Sequence, residues 1–502
     1  MPCSTASDTT GKNQTRTMRV LYVSTEVHPA LKTGGLADVN AALPAALAAI
    51  GVDVALLLPG FPALMEAATA CGKPVRLGPA FGCDEVSLMP CRLGGMPAWL
   101  IDAPAMYGRT GNPYVGPDGH DWPDNARRFA LLGWAATRFA DGGIGGWRPD
   151  IVHSHDWHAG LAGAYSRARG GAGPGSVFTV HNLAYQGSFA ATQFPELALP
   201  PHFFSMHGLE FHGAVNFMKA GLFYADRVTT VSPTYAREIQ TAEHGFGMDG
   251  LLRSRAGALS GILNGVDAAA WNPAGDSALA APFSADDLTG KAVCRKALRA
   301  EMGLGEASGP LFGVVSRLTA QKGLDLLLEA LPAIASIDGQ VAMLGSGDRA
   351  LEAAWQVAAA GNPGRVAVTR GYDEPLAHRI FAGADIIAVP SRFEPCGLTQ
   401  MYGLLYGALP LVRNTGGLAD TVREAGRAAA VDDTEAASEG NGFVFDMPLV
   451  SDLSAAIARA GLLWKTPAAW QALQQTAMRS DFGWERAASR YAALYRQVRP
   501  EA

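Results

Sequence analysis

The 502-residue chain has no C-x-x-C pair, no G-x-x-x-x-G-K-[ST] loop, no D-x-D and no long unbroken apolar run. Its six cysteines, Cys3, Cys71, Cys83, Cys91, Cys294 and Cys396, are few for this length. They give neither a disulfide framework nor a zinc site, and they suit the reduced thiols of a cytoplasmic protein. Missing the phosphate-loop lysine motif, the chain does not read as a P-loop ATPase, and without D-x-D it lacks a common way of holding a metal-diphosphate complex. Only 17% of residues are charged and the net charge is -6, so no basic footprint for nucleic acid or an acidic membrane is present. The most apolar stretch, 41–58, is interrupted by Pro44, Gly51 and Asp53 and falls short of a spanning helix. Residues 1–17 are rich in Ser and Thr, lack the apolar core of a secretory signal, and are expected to form a disordered tail.

What is present is length enough for two domains and a rhythm of short β-branched runs alternating with Ala/Leu-rich runs, the pattern of parallel strands joined by crossover helices. This predicts an α/β chain of two doubly wound, Rossmann-like halves facing a cleft. Expected strands of the first half are 19–24, 52–57, 150–155, 177–181, 227–231 and 261–263, with an antiparallel insertion over 75–103. In the second half they are 311–315, 340–344, 365–369, 385–389, 410–412 and 443–445, with a periodic helix over 323–335. The expected domains are 18–267 and 310–483, joined by a connection over 268–309. A last helix over 484–502 is expected to pack back on the first domain. In such sheets ligands sit beyond the carboxyl ends of the strands, so the loops there are where chemistry is sought.

The loop after the first strand reads Lys32-Thr33-Gly34-Gly35-Leu36-Ala37-Asp38, glycines just before a helix, where main-chain N–H groups and the helix dipole favour an anion. Glycines there are also found in ordinary strand-to-helix turns, but Lys32 adds charge and Thr415-Gly416-Gly417-Leu418-Ala419-Asp420 echoes the motif in the second half. Arg317 and Lys322 follow the strand 311–315 and suit the stabilisation of a departing diphosphate. The segment Arg392-Phe393-Glu394-Pro395-Cys396-Gly397-Leu398-Thr399 follows another strand and opens a helix. Its glycine is placed for phosphate, its carboxylate for sugar hydroxyls or an oxocarbenium-like transition state. His153, His155 and His158 lie together in sequence without a carboxylate-rich partner run, so metal binding is not expected. Gly345-Ser346-Gly347-Asp348-Arg349-Ala350 matches the looser dinucleotide pattern, but no acidic residue ends the next strand to hold a ribose. Tyr372, beyond that strand, is placed to stack a base.

Taken together, Lys32-Thr33-Gly34-Gly35-Leu36-Ala37-Asp38-Val39, His155-Asp156-Trp157-His158-Ala159-Gly160, the run from Thr179 through His181-Asn182-Leu183 to Gly187, Leu263-Asn264-Gly265-Val266-Asp267 and Glu394-Pro395-Cys396-Gly397-Leu398-Thr399-Gln400 closely resemble the bacterial glycogen synthases, a family that includes plant starch synthases. The resemblance implies a GT-B fold and retaining transfer of glucose from ADP-glucose to the non-reducing end of glycogen or another α-1,4-glucan. It implies no metal and no organic cofactor. It also implies that Lys32, Arg317 and Lys322 hold the diphosphate, that Gly34, Gly35, Gly397 and Leu398 bring N–H groups to it, and that Tyr372 stacks the adenine. Glu394, Cys396 and Thr399 would border the glucosyl site, with His181 beside the donor glucose and Asn182 and Asn264 in the sugar site. Asp156 and Trp157 would face the acceptor, and Asp38 belongs to the same binding turn. Glu394, His181, Lys322 and Arg317 form the expected catalytic group. Many related transferases carry a second glutamate eight positions after the first, whereas this chain has Tyr402 there, so ribose recognition must differ from theirs.

With a single evident carboxylate, a covalent double displacement lacks its nucleophile, and front-face attack assisted by the departing diphosphate is the expected route, with water excluded as the domains close. Two other readings stand beside it: a catalytically silent glucan-binding protein, and a nicotinamide-dependent oxidoreductase built around Gly345. Phosphorolysis would need a pyridoxal-phosphate site, to which no segment shows resemblance.

Overall fold

The computed structural model describes residues 16–170, 173–425 and 440–499. Most of the expected tail, residues 1–15, and Cys3 with it, lie outside the described residues. The chain divides into two units: the first holds residues up to 231, then 236–265 and the segment from Trp484, and the second holds 232–235 and 266–483.

The first unit is built on one large sheet. Its order is Leu259–Gly261, Arg227–Thr230, Gly175–Val180, Ile151–His155, Arg19–Val23, Asp53–Pro59, Met96–Asp102, Cys83–Leu93 and Thr69–Ala70, with Val75–Ala80 pairing the strand Cys83–Leu93. The first seven strands run parallel. The central strands Arg19–Val23, Asp53–Pro59 and Ile151–His155 are buried almost throughout, and the first two read as nearly continuous apolar runs, Leu-Leu-Leu at 56–58 for example, because both faces are covered. The strands around 75–102 pair antiparallel, as the Gly94-Gly95 turn leads one to expect. The sheet's chain order reverses between Arg19–Val23 and Ile151–His155, which is where a doubly wound sheet opens a crevice beyond its strand ends. The last strand falls at Leu259–Gly261 instead of 261–263, since its ladder with Arg227–Thr230 begins at Leu259 opposite Val228.

The helix Trp484–Val498 packs on the helix Gly35–Ala49 of the first unit. Tyr491, Leu494 and Tyr495 are buried there, and Tyr495 meets His153 Nδ1 at 2.8 Å. A Cβ at Gly265 would come within 2.8 Å of Trp484, so that glycine lets the returning chain pass close.

The second unit carries a six-stranded parallel sheet in the order Val366–Arg370, Gln340–Gly345, Leu311–Val315, Ile386–Val389, Leu409–Arg413, Phe443–Phe445. Its reversal lies between Leu311–Val315 and Ile386–Val389. The expected helix over 323–335 is instead two short helices, Leu324–Glu329 and Leu331–Ser336. Pro332 starts the second helix and cannot donate into the first, while Gly323 enters in a left-handed conformation. The stretch 268–309, read from sequence as a connection, belongs to the second unit's core. Its helix Thr289–Glu301 buries Cys294 and Leu298 among the apolar side chains of Glu374–Gly383. Lys291, on the same helix, donates to the carbonyls of Ala382, Ala384 and Tyr406 at 3.0, 2.9 and 2.8 Å, which compensates for burying an ammonium. No helix among the described residues is long and apolar enough to cross a membrane.

Candidate active site

Each unit gathers its polar loops where its strand order reverses. In the second unit, the loops after Leu311–Val315 and Ile386–Val389 are laced to each other. Arg392 makes paired bonds to Asp325 at 2.7 and 2.6 Å and donates to the Ala320 carbonyl at 2.8 Å, while its main-chain N–H reaches the Gln321 carbonyl. Gly323, at φ +64°, is the position where a side chain is forbidden: a Cβ there would lie 2.1 Å from the Pro390 carbonyl oxygen. This lacing brings Lys322 Nζ to 2.6 Å from Glu394 Oε2, and Ser391 Oγ donates to the same oxygen at 2.9 Å. Glu394 is only 5% exposed. An ammonium has three N–H donors, so the pair leaves two on Lys322 for another acceptor.

Arg317 is exposed just beyond the strand Leu311–Val315. Its loop is braced from below by 345–348: Leu318 N–H bonds to the Ser346 carbonyl and Asp348 N–H to that of Leu318, both at 2.8 Å. The two glycines of the dinucleotide-like pattern are consumed by this contact, because a Cβ at Gly345 would meet the Ser316 oxygen at 2.0 Å and one at Gly347 the Leu318 oxygen at 2.2 Å. They serve packing, which removes the basis of the oxidoreductase reading.

The second Gly-Gly motif is also a packing device. A Cβ on Gly416 would fall on the Glu394 carbonyl and one on Gly417 would stand 2.1 Å from the Cys396 oxygen, while Gly417 N–H bonds to Glu394 O at 3.0 Å. The motif thus seats the loop that carries Glu394. Gly397, at φ +73°, lets that loop turn into the helix Thr399–Leu405, for which Leu398 is the capping residue. Gln400, fully buried, ties the turn by donating to the carbonyls of Cys396 and Gly397 at 3.0 Å. Cys396 is itself buried, and Thr399 begins the helix. Tyr372 lies past the strand Val366–Arg370 with 74% of its surface exposed and its hydroxyl on Glu374. Tyr402, at the position of the missing glutamate, stacks on Trp271 at 3.7 Å, which in turn stacks on His378 at 4.0 Å.

In the first unit, Lys32 and Asp38 form an ion pair at 2.8 Å across the turn. The helix there begins at Gly35. Its capping Gly34 is extended, and a Cβ at that position would have no atom within 4 Å, so open space lies before the helix. Glu26 organises the turn. Its carboxylate accepts from Thr33 N–H at 2.6 Å and from the Thr33 hydroxyl at 2.9 Å, with the Tyr114 hydroxyl at 3.1 Å, and burial raises its pKa against the pull of these donors.

The histidines sit where the strands Ile151–His155 and Gly175–Val180 end. His153 lies between Tyr495 and Thr179, at 2.8 and 2.6 Å, and His155 stacks on Tyr22 at 3.9 Å while bonding through Nδ1 to His181 Nε2 at 2.9 Å. Burial lowers the pKa of His153, His158 and His181 to about 3, so these rings are neutral at pH 7. His153 and His155, two apart on a strand, share a face. Among the described residues no group of three or more His, Cys, Asp or Glu is placed to hold a metal ion.

Asp156, which the resemblance implies to be acceptor-facing, is bonded to the main chain of the neighbouring loop. It is 8% exposed, stands at φ +53°, and accepts from His181 N–H at 2.7 Å and Asn182 N–H at 3.4 Å. Burial raises its pKa to about 7, the opposing effect of those N–H donors being smaller. It therefore positions the segment carrying His181. Trp157 is half-buried and lies against Gly187, where a Cβ would be 2.2 Å from the indole. Asn182 closes its own turn through a bond from Ala184 N–H at 3.0 Å. Asn264 is 7% exposed and its side-chain oxygen has no hydrogen-bond partner, a buried acceptor suited to a hydroxyl donor.

Glu26, Ser391, Gln400 and His155 are not among the site residues expected from sequence. Of these, His155 and Gln400 stand within motifs that carry the resemblance, and Ser391 lies three residues before Glu394 in the same loop, whereas Glu26 has no such signal.

Two doubly wound units with polar, glycine-bearing loops at both reversal points define a GT-B glycosyltransferase. A family model described as starch synthase catalytic domain matches residues 19–254, and one described as glycosyl transferases group 1 matches 304–472. The chain is 53% identical to the glycogen synthase of Yersinia enterocolitica, over 96% of this chain and 100% of that protein. It is 52% identical to the glycogen synthase of Albidiferax ferrireducens, over 97% and 100%. Among solved structures, the catalytic domain of starch synthase IV from Arabidopsis thaliana, bound to ADP and acarbose, superposes with a TM-score of 0.85 at 32% identity, covering 96% of this chain and 99% of that one. Sucrose-phosphate synthase from Thermosynechococcus elongatus shares the fold at a TM-score of 0.58 and 18% identity, covering 97% and 100%. The chain belongs to the glycogen synthase family.

Proposed function

We propose that the protein transfers glucose from ADP-glucose to the non-reducing end of an α-1,4-glucan, with retention at the anomeric carbon. The observation that carries this reading is the buried Lys322–Glu394 pair at the reversal point of the second sheet, in a chain of this family. A donor diphosphate placed there meets the two remaining donors of Lys322 and the exposed Arg317 guanidinium. As the bond from C1 to the diphosphate breaks, its electron pair goes to the phosphate oxygen, and these cations stabilise the charge where it develops. The same oxygen takes the proton of the acceptor hydroxyl as that hydroxyl's oxygen bonds C1 from the same face. No carboxylate nucleophile is required, in keeping with Glu394 being committed to Lys322 and Ser391.

Neutral His181, held by Asp156 through its main chain and by His155 through its ring, serves as a hydrogen-bonding group beside the donor glucose. Asn182 and Asn264 offer amides to sugar hydroxyls. Tyr372, with its ring exposed, stacks the base, and ADP over UDP rests on the family and on the ADP-bound relative. Cys396 and Thr399 border the glucosyl group through the loop that Gly397 turns. The partners of this reading are ADP-glucose and glycogen, not nucleic acid. The reducing, cytoplasmic setting belongs to the same proposal and rests on the scarcity of cysteine.

The test is transfer of labelled glucose to glycogen with ADP-glucose and UDP-glucose in competition. Transfer chiefly from ADP-glucose is expected. A protein that binds glycogen yet transfers from neither donor would be the silent glucan-binder.

A further inference from the structure

The second unit has a hollow of about 550 Å³ between the start of the helix Thr289–Glu301, the end of the helix Val450–Trp464 and the helix Pro467–Met478. It contains none of the residues assigned above to the donor or acceptor. Its volume lies within the roughly 300–1,000 Å³ usual for small-molecule sites. Trp464 and Trp470 form one wall, with rings edge to face at 5.0 Å and 86°. Trp464 is fixed by its indole N–H, which donates to the Ser308 carbonyl at 2.8 Å, and by the Arg295 guanidinium 4.9 Å over its ring. Trp470 is 4% exposed, and its indole N–H has no hydrogen-bond partner. The exposed rim carries Asp286, Asp287 and Gln471, and Gln474 lines the interior with its amide N–H on the Gly407 carbonyl at 2.8 Å.

The chemistry of this lining narrows the ligand. Among the described residues no lysine or arginine lines the hollow, and two carboxylates do, so phosphates and nucleotides are disfavoured. Nor is it a cation site, because Asp286 is paired with Arg479 at 2.7 Å and Asp287 takes the N–H and hydroxyl of Thr289 at 3.0 and 2.7 Å. Indole surface beside carboxylate and amide oxygens suits a neutral molecule with apolar C–H faces and many hydroxyls. We infer that this hollow is a second glucan-binding site, which holds a chain of the polymer away from the reaction.

This inference rests on the glucan acceptor of the proposed function. A glycogen particle presents many chains, so a second contact with the same particle raises overall affinity without touching the chemistry. A short oligosaccharide bound at the acceptor position gains nothing from it.

The experiment compares full-length wild type, Trp464→Ala and Gln471→Ala by electrophoresis through gels containing glycogen, and by transfer from ADP-glucose to maltotriose. Gln471 is exposed, so its replacement leaves the fold intact even if loss of Trp464 does not. The expected result is an apparent glycogen affinity weakened about tenfold by Trp464→Ala and a few-fold by Gln471→Ala, with maltotriose transfer within twofold of wild type. Wild-type glycogen affinity in Gln471→Ala and in a folded Trp464→Ala overturns the inference, as does a parallel loss of glycogen binding and maltotriose transfer. If Trp464→Ala does not fold, Gln471→Ala alone decides. Failure of the catalytic reading is separate: it shows as wild type that transfers to neither acceptor.

Discussion

Replacing Lys322 by Met tests the chemistry and the architecture of the site together. The ammonium sits 2.6 Å from Glu394, with the two side chains 19% and 7% exposed. Removing it leaves a buried carboxylate with the Ser391 hydroxyl as its remaining described donor. Breaking a buried pair in this way costs roughly 3–5 kcal/mol of stability. Losing a cation that meets the leaving diphosphate only as its charge develops costs about 3 kcal/mol of activation energy, or about a hundredfold in kcat. The two losses separate in the double variant Lys322→Met, Glu394→Gln. Removing both charges restores stability to within about 1–2 kcal/mol of wild type, since no unpaired ion remains buried, but leaves turnover as low as in the single variant or lower. Urea denaturation measures the first quantity and labelled-glucose transfer to glycogen the second. Full turnover in a folded Lys322→Met protein would refute the assignment of the cation. A double variant as unstable as the single would refute the account of the pair.

Three further outcomes follow from the geometry. Gly417→Ala forces a Cβ to within 2.1 Å of the Cys396 oxygen and should lower stability by about 1–3 kcal/mol or more, whereas Gly34→Ala meets no atom within 4 Å and should melt like wild type while raising KM for the donor; equal melting temperatures for the two would contradict this. Tyr372→Ala, at a side chain 74% exposed, should leave stability unchanged and weaken ADP-glucose binding about tenfold, as expected for a lost base–aromatic stack, and unchanged donor affinity in a binding titration would remove Tyr372 from the site. The first unit should lose stability as pH falls from about 6.5 towards 3. His153, His158 and His181 have folded pKa values of about 3, and His155 is lowered too, so the unfolded chain binds more protons across that window. Asp156 and Glu26 act oppositely, since burial raises both carboxyls, Asp156 to about 7, and makes the folded state the proton-rich one at those two groups, but two carboxylates do not outweigh four imidazoles. Net proton uptake on unfolding near pH 5, measured calorimetrically in buffers of different ionisation enthalpy, checks the sign; net release would refute it.

How much of this is legible in the sequence differs from segment to segment. The strands 311–315 and 443–445 coincide with Leu311–Val315 and Phe443–Phe445, because a parallel strand covered on both faces must be apolar along its whole length. The stretch 268–309 reads as a connection because its prolines and small residues mask one amphipathic helix, whose buried positions Cys294 and Leu298 stand four apart. Pro332 and Gly323 carry the signal that a helix over 323–335 would break.

Local sequence determined which segments became strands, where the glycine turns fall, and which cations and carboxylate stand beyond strand ends, since periodicity and turn chemistry act over a few residues. Tertiary structure alone decided their partners. That Lys322 meets Glu394 from 72 positions away in the chain, that Asp156 turns inward to the His181 main chain, and that Gly416-Gly417 carries a loop while Gly34 faces open space all depend on which strands lie side by side. The same Thr-Gly-Gly-Leu-Ala-Asp motif serves two purposes because a glycine is defined by what approaches it, and that is set by packing from elsewhere in the chain.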